Sequence, residues 1–271
     1  MKRFEFVSDR GLMMVKFSKA NAKLKALADV PELQRWLTSK RKVYSFDLLS
    51  GWSCPFAEKC LSKVHILKEK KKLLDGEKTE FRCFSASQEV AFPSAYKLRK
   101  DNFDALRGLT TEQIADMIES ALPKNAGIVR IHVAGDFFSP AYFRAWLTVA
   151  SNNPEILFYA YTKSLSYWIK EKNWIDQLDN FVLTASRGGR LDHLIDQHNL
   201  RESIVVFSPE EAESLNLEID HTDEHAAVPE WKNNSFALLI HGVQPAGSVA
   251  AAAIKELKQK NVKFSYSGKD D

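Results

Sequence analysis

A rhythm of apolar strands separated by helical stretches constrains the fold of this chain more than any other feature. Five runs, at residues 128–133, 156–161, 181–185, 204–207 and 236–240, are mostly β-branched or aromatic and lack polar alternation. Helix-like stretches at 141–151, 165–172, 191–199 and 247–260 lie between and after them. A strand that is apolar on both faces must be covered on both, the condition of a parallel sheet with crossover helices. With 43–49 as an opening strand the set reaches six, and 262–266 is a candidate seventh. The expected class is therefore α/β: a partial (β/α) barrel of about six parallel strands, with an open doubly wound sheet as second choice.

Residues 1–40 carry helix-like stretches at 21–28 and 31–37 and read as an N-terminal helical cap. Further helices are predicted over 87–106 and 111–122, the second capped by Thr110 or Thr111 and stopping before Pro123. No internal repeat or low-complexity linker divides the chain, so 1–271 is expected as one barrel-like domain.

The cysteines add a chemical constraint. There are three in 271 residues, Cys54, Cys60 and Cys83, with a C-x5-C-x22-C layout inside the 50–86 region that follows the first strand. An odd number cannot close into intramolecular disulfides without a remainder. Three thiolates converging on one point suit a [4Fe–4S] cluster with one iron left open. They also suit Zn completed by a water or a histidine, for which His65 lies five residues past Cys60.

Ligands of parallel α/β folds collect at the C-terminal ends of the strands. Polar groups fall at those ends here: Gly135-Asp136, Thr162-Lys163-Ser164, Ser186-Arg187-Gly188-Gly189-Arg190 and His241-Gly242. A glycine before a carboxylate lets backbone approach a ligand while Asp136 meets an amine or hydroxyl; otherwise Asp136 or Ser139 is a helix N-cap. The Gly188-Gly189 pair frees backbone N–H groups for an anion, and Arg187 can fork onto a carboxylate or phosphate. His221 and His225 share one face if their segment is helical, and with His241 they are candidates for substrate contact or proton transfer. Phe137, Phe138, Tyr142, Phe143, Trp146, Tyr159 and Tyr161 read as core rather than as a base-stacking platform.

Several strings in this set resemble the phage "Gene product 88" family. They are Ser53-Cys54-Pro55, Arg82-Cys83-Phe84-Ser85-Ala86-Ser87-Gln88-Glu89, His132-Val133-Ala134-Gly135-Asp136-Phe137-Phe138 and Phe158-Tyr159-Ala160-Tyr161-Thr162-Lys163-Ser164. Leu183-Thr184-Ala185-Ser186-Arg187-Gly188-Gly189 and His241-Gly242-Val243-Gln244-Pro245-Ala246-Gly247 belong with them. More loosely, the order of these motifs is similar to that of radical S-adenosylmethionine (SAM) enzymes. That resemblance implies a partial (β/α) barrel holding a [4Fe–4S] cluster on three cysteines, with SAM on the open iron and an external reductant. It implies the cluster on Cys54, Cys60 and Cys83 and the SAM amine on Asp136 beside Gly135. Thr162, Lys163, Ser186 and Arg187 would then hold the SAM carboxylate or the substrate. The C-x3-C-x2-C of that superfamily is absent, because the third cysteine is displaced to Cys83.

Charge narrows the partners. Lys plus Arg number 38 against 35 acids, a net +3, so the whole chain is no general nucleic-acid binder, although a local basic run spans residues 68–72. The N-terminal residues lack the apolar stretch of a signal peptide, and no run of about 18 apolar residues indicates a membrane span. The expected setting is the reducing cytoplasm, with the substrate undefined. If Zn holds the cysteines, the alternative role is a nucleic-acid or host-protein binding module.

Overall fold

A computed structural model describes residues 14–262. The apolar runs become a seven-stranded sheet built from β1 (Ser18–Lys19), β2 (Lys42–Phe46), β5 (Ala126–Ile131), β6 (Leu157–Thr162), β7 (Phe181–Ser186), β8 (Glu202–Val206) and β9 (Phe236–Leu239), in that spatial order. The short β1 pairs antiparallel at one edge, and every other pairing is parallel. Strand order follows chain order without a reversal, so the sheet has no topological switch point of the doubly wound kind. The residues at 262–266 expected to add a strand lie outside the described residues except Val262, which is in none.

Both faces of the sheet are covered, as the continuous apolar runs require. On one face Phe46, Val129, Ile131, Phe158 and Leu183 pack on helices Pro93–Leu106, Thr111–Ala121 and Pro140–Asn152. Helix Thr111–Ala121 opens on a capping box, in which Thr110 accepts from the Gln113 N–H and Gln113 accepts from the Thr110 N–H. On the other face Val43, Ile128, Leu157, Tyr159 and Val182 meet the N-terminal segment through Leu24, Leu27, Val30 and Leu33. That segment is one helical turn, Ala22–Lys25, followed by 3-10 turns over Ala26–Asp29 and Pro31–Trp36. It lies on the sheet as a lining rather than capping one end.

Two predictions near the cysteines change. The single helix over 87–106 is two, Phe84–Ala91 and Pro93–Leu106. Pro93 supplies no N–H and holds Phe92 extended (φ −118°, ψ 100°), which stops the first helix. The region between Cys60 and Cys83, for which the sequence suggests long loops or short helices, contains a β-hairpin of β3 (Ser62–Leu67) and β4 (Lys70–Asp75). Among the described residues no helix is long and apolar enough to cross a membrane.

Candidate functional site

The C-terminal ends of the parallel strands open on a cavity of about 200 Å³. Cys54, Cys60 and Cys83 all line it, together with Gly135, Asp136, Thr162, Lys163, Ser186 and His241. Nine of the residues singled out in the sequence therefore share one cavity. A larger cleft of about 900 Å³ runs along the opposite ends of the strands, but its walls mix apolar side chains such as Trp168 and Phe181 with charged ones of both signs and carry no cysteine.

Cys54 follows β2 in a turn that starts at Ser50, and Cys83 precedes helix Phe84–Ala91. Two glycines hold this cysteine-bearing segment in place by having no side chain. A Cβ on Gly135, which has φ +94°, would fall 2.6 Å from Ser53 Oγ and 2.8 Å from Leu48 Cβ. At Gly189 a Cβ would stand 3.0 Å from the Phe56 carbonyl oxygen, where Ala57 and Gly189 form an antiparallel bridge. The Lys59 N–H also donates to the Gly188 carbonyl and the Arg190 N–H to the Phe56 carbonyl. The Gly-Gly pair is therefore a dock for the cysteine loop.

That docking corrects the anion reading of the Ser186–Arg190 stretch. The Gly188 and Gly189 N–H groups donate to the Asp192 carboxylate at 2.8 and 2.9 Å. Arg187 is paired with Glu202 and Asp196 and does not line the cavity. Lys163 does line it, but its ammonium donates to the Ser186 carbonyl, Ser186 Oγ and the Arg187 carbonyl at 2.7, 2.8 and 3.0 Å. Asp136 accepts from Thr162 Oγ1 (2.6 Å), the Lys163 N–H (2.9 Å) and the Phe137 N–H (2.7 Å). Burial raises the Asp136 carboxyl to about 6 against the opposing pull of these donors. Ser139, the other N-cap candidate, does cap helix Pro140–Asn152.

The three thiols are half-buried and free. Burial pushes Cys83 up to about 11, with Cys60 adding to the rise. Burial, Asp136, Cys83 and Cys60 all raise Cys54. A shared cavity and mutual repulsion place the three sulfurs in one electrostatic neighbourhood. Among the described residues, however, no three His, Cys, Asp or Glu side chains are grouped closely enough to hold a metal ion.

The histidine trio is not brought together. Asp223 adopts a left-handed conformation (φ +68°) and the helix there is only Glu224–Ala227, so His221 and His225 share no helical face. His221 is exposed, and neither lines the cavity. His241 does, with Nδ1 3.0 Å from the Leu239 carbonyl and its ring 4.9 Å from that of Phe84. Burial lowers its pKa. His65 also stands apart on the hairpin, its ring tilted 51° against that of Trp52 with centroids 4.9 Å apart.

His225 sits 3.7 Å from Asp220 and 2.9 Å from Glu218. Asp220 first, then Glu218, outweighs burial and raises it to about 9. Stability from this charge is full below the unfolded value of about 6.5 and is lost as pH rises through about 9. The unfolding free energy of wild type should therefore fall, relative to His225→Gln, between about pH 6.5 and 9. Parallel denaturant titrations of the two proteins across that window check it; a constant difference would remove the charged pair from the account.

The sequence reading missed the cavity's charged wall. Asp223 pairs with Lys23 at 2.7 Å and with Arg130, and accepts from Tyr159 Oη at 3.1 Å. Burial would raise the Asp223 carboxyl, but Arg130 and Lys23 hold it well below the usual carboxylate range. One signal was available: Arg130 interrupts the apolar run of β5, and a charge in a buried strand needs a partner. His132, buried at the end of β5 with its Nε2 2.9 Å from Tyr142 Oη, is kept neutral, lowered to about 3 by burial and then by Arg130.

Comparison with known proteins adds a family but no activity. The sequence profile described as "Gene product 88" matches residues 15–260. "Gene 88 protein" of Mycobacterium phage L5 is 29% identical over 122 residues, covering 42% of this chain and 44% of the relative. The "Gene 88 protein" of Mycobacterium phage D29 is 29% identical over 122 residues, covering 42% and 43%. The alignments thus span under half the length of these curated relatives. No solved structure matches. The profile takes in every cysteine and every strand of the sheet, from β1 to β9, and on that extent the chain belongs to the Gene product 88 family.

Proposed function

We propose that this chain is an iron–sulfur protein of atypical radical-SAM-like type, a partial (β/α) barrel acting in a reducing cytoplasm on an undefined substrate. The observation that carries the reading is that all three cysteines line one cavity at the C-terminal mouth of parallel strands laid in chain order. The donor chemistry fits. The thiols of Cys54 and Cys83, which burial pushes up, become favourable thiolates once positive charge enters beside them. His65, the histidine expected to complete a Zn site, lies outside the cavity.

Cys54, Cys60 and Cys83 would hold a [4Fe–4S] cluster with one iron open. With SAM on the open iron and an external reductant, that cofactor would supply radical chemistry. The chain's own part is to fix and dry the site. Gly135 and Gly189 seat the cysteine loop, while Phe84, Val133, Leu238 and Ile240 line the cavity with apolar surface. Thr162 and the Lys163 and Phe137 N–H groups hold the Asp136 carboxylate on the cavity wall, in reach of an amine. His241, its pKa lowered by burial, also lines the cavity.

One observation favours a second reading, a [4Fe–4S] enzyme using its open iron as Lewis acid or sulfur acceptor without SAM. Lys163 and Arg187, the cations expected on the SAM carboxylate, are engaged within the protein. Anaerobic purification with iron, sulfide and zinc analysis tests both. About four irons and four sulfides per chain are expected, falling to near zero in Cys54→Ala. Stoichiometric Zn without iron would overturn both and leave a metal-stabilised binding module. Formation of 5′-deoxyadenosine from SAM after reduction then separates the first reading from the second.

A further inference from the structure

The hairpin inserted between Cys60 and Cys83 has two unlike faces. Val64 is buried on the inner one, where Lys71 lies 4.2 Å from the Tyr96 ring centroid and donates to the Glu89 carbonyl at 2.9 Å. The outer face follows from the antiparallel register, which sets Lys63 opposite Leu74, His65 opposite Lys72 and Leu67 opposite Lys70. Each outward pair therefore joins a lysine to an apolar or aromatic side chain.

Trp52 extends this face. Its indole N–H donates to the Val64 carbonyl at 3.0 Å, fixing the ring against β3. The Lys63 ammonium lies 4.8 Å from the indole centroid, and the ring remains 42% exposed. Among the described residues the register puts no acid of the hairpin on the outer face: Glu69 is in the turn, and Asp75 is held by Arg82 and Ser62. Among the described residues Lys70 and Lys72 have no ion-pair partner, unlike Lys59, Lys78, Lys97 and Lys100 nearby in the chain.

We propose that this hairpin face is a binding site for single-stranded nucleic acid. Lys63, Lys70 and Lys72 would track phosphates while Trp52 and His65 offer a platform on which bases stack. A positive track interleaved with exposed aromatics is the combination that binds single strands without reading sequence. An acidic protein surface would use the lysines but has no need of the fixed, exposed indole. β3 begins just after Cys60, and the Cys83 N–H donates to Ser62 Oγ at 3.3 Å, so a strand bound here lies beside the cavity mouth. The proposal stands whether or not the cysteines carry a cluster.

The test uses the full chain and fluorescently labelled oligothymidylate and mixed-sequence RNA 20-mers, with affinity measured across salt concentration. Single-strand binding is expected, with log affinity falling linearly with log salt. Lys63→Gln/Lys70→Gln/Lys72→Gln should weaken binding roughly tenfold or more and flatten the slope by about 2. Trp52→Phe should weaken binding while leaving the slope alone. Lys40→Gln/Lys124→Gln/Lys170→Gln, which removes equal charge from exposed positions outside the hairpin, should change neither as much. No binding at low salt, or equal losses in the two triple variants, overturns the proposal. Binding only to an acidic polypeptide such as polyglutamate would do the same. Metal content is untouched by these measurements, so failure here is distinct from failure of the cluster reading.

Discussion

Asp223→Ala is expected to lower folding stability by about 3–5 kcal/mol. The carboxylate lies between the Lys23 ammonium and the Arg130 guanidinium, and its side chain is 1% exposed. Removing it leaves two cations at a buried wall without the anion they were arranged around. Desolvation of unbalanced charge, rather than loss of one hydrogen bond, sets the size of the effect. The phenols of Tyr159 and Tyr161, at 3.1 and 3.4 Å, lose an acceptor at the same time. Urea denaturation at neutral pH measures it, and the midpoint temperature should fall by roughly 10 °C. The depressed Asp223 pKa fixes the sign of the pH dependence. Its contribution is present above the unfolded value near 4 and lost as pH falls through the lower folded value, so wild type and variant should converge in acid. A cost below about 1 kcal/mol would show that this charge cluster is not a stabilising centre.

Gly135→Ala is the second large effect, and it acts on the cysteine loop. At φ +94° a side chain is strained on its own account, and the added carbon collides with Ser53 and Leu48. Conformation and overpacking together give a loss on the order of 2–4 kcal/mol. Relief comes most easily by moving the turn that carries Ser53, which precedes Cys54. The alkylation rate of Cys54, mapped by mass spectrometry against those of Cys60 and Cys83, should therefore rise selectively. A uniform rise at all three cysteines would indicate global loosening instead, and unchanged rates would show that the loop does not lean on Gly135.

The sheet was legible because its strands are apolar on both faces, a pattern that survives errors of one or two residues at their ends. The hairpin was not. Its outer face alternates lysine with apolar residues, so 68–72 read as a charge run. Its turn, Lys68-Glu69, enters the left-handed region at φ 48° and 65° without the Asn-Gly or Asp-Gly that announces such turns. The condition set for His221 and His225, a shared helix, is not met for a related reason, since Asp223 takes a positive φ where it pairs with Arg130 and Lys23. Convergence of the cysteines could be anticipated from their crowding after one strand. The engagement of Arg187 could not, because Glu202 becomes its partner only when β8 is laid beside β7. Gly188 and Gly189 were noticed as backbone free to contact an anion; their N–H groups hold the Asp192 carboxylate of the same chain, and the pair also receives the Phe56–Lys59 segment, which nothing in the sequence announced.

The lining on the inner face of the sheet bears on how the chain is made. Leu24, Leu27 and Leu33 share a core with Ala226, Ala227, Val228 and Phe236, which leave the ribosome about 200 residues later. At ~5–20 residues per second that interval is roughly 10–40 s. Through it the earliest leucines are synthesised without their last neighbours, a sticky surface on a nascent chain. Completion of this shared core is thus a late step by construction, and a slowed or truncated translation product should be the form of this protein most dependent on chaperones.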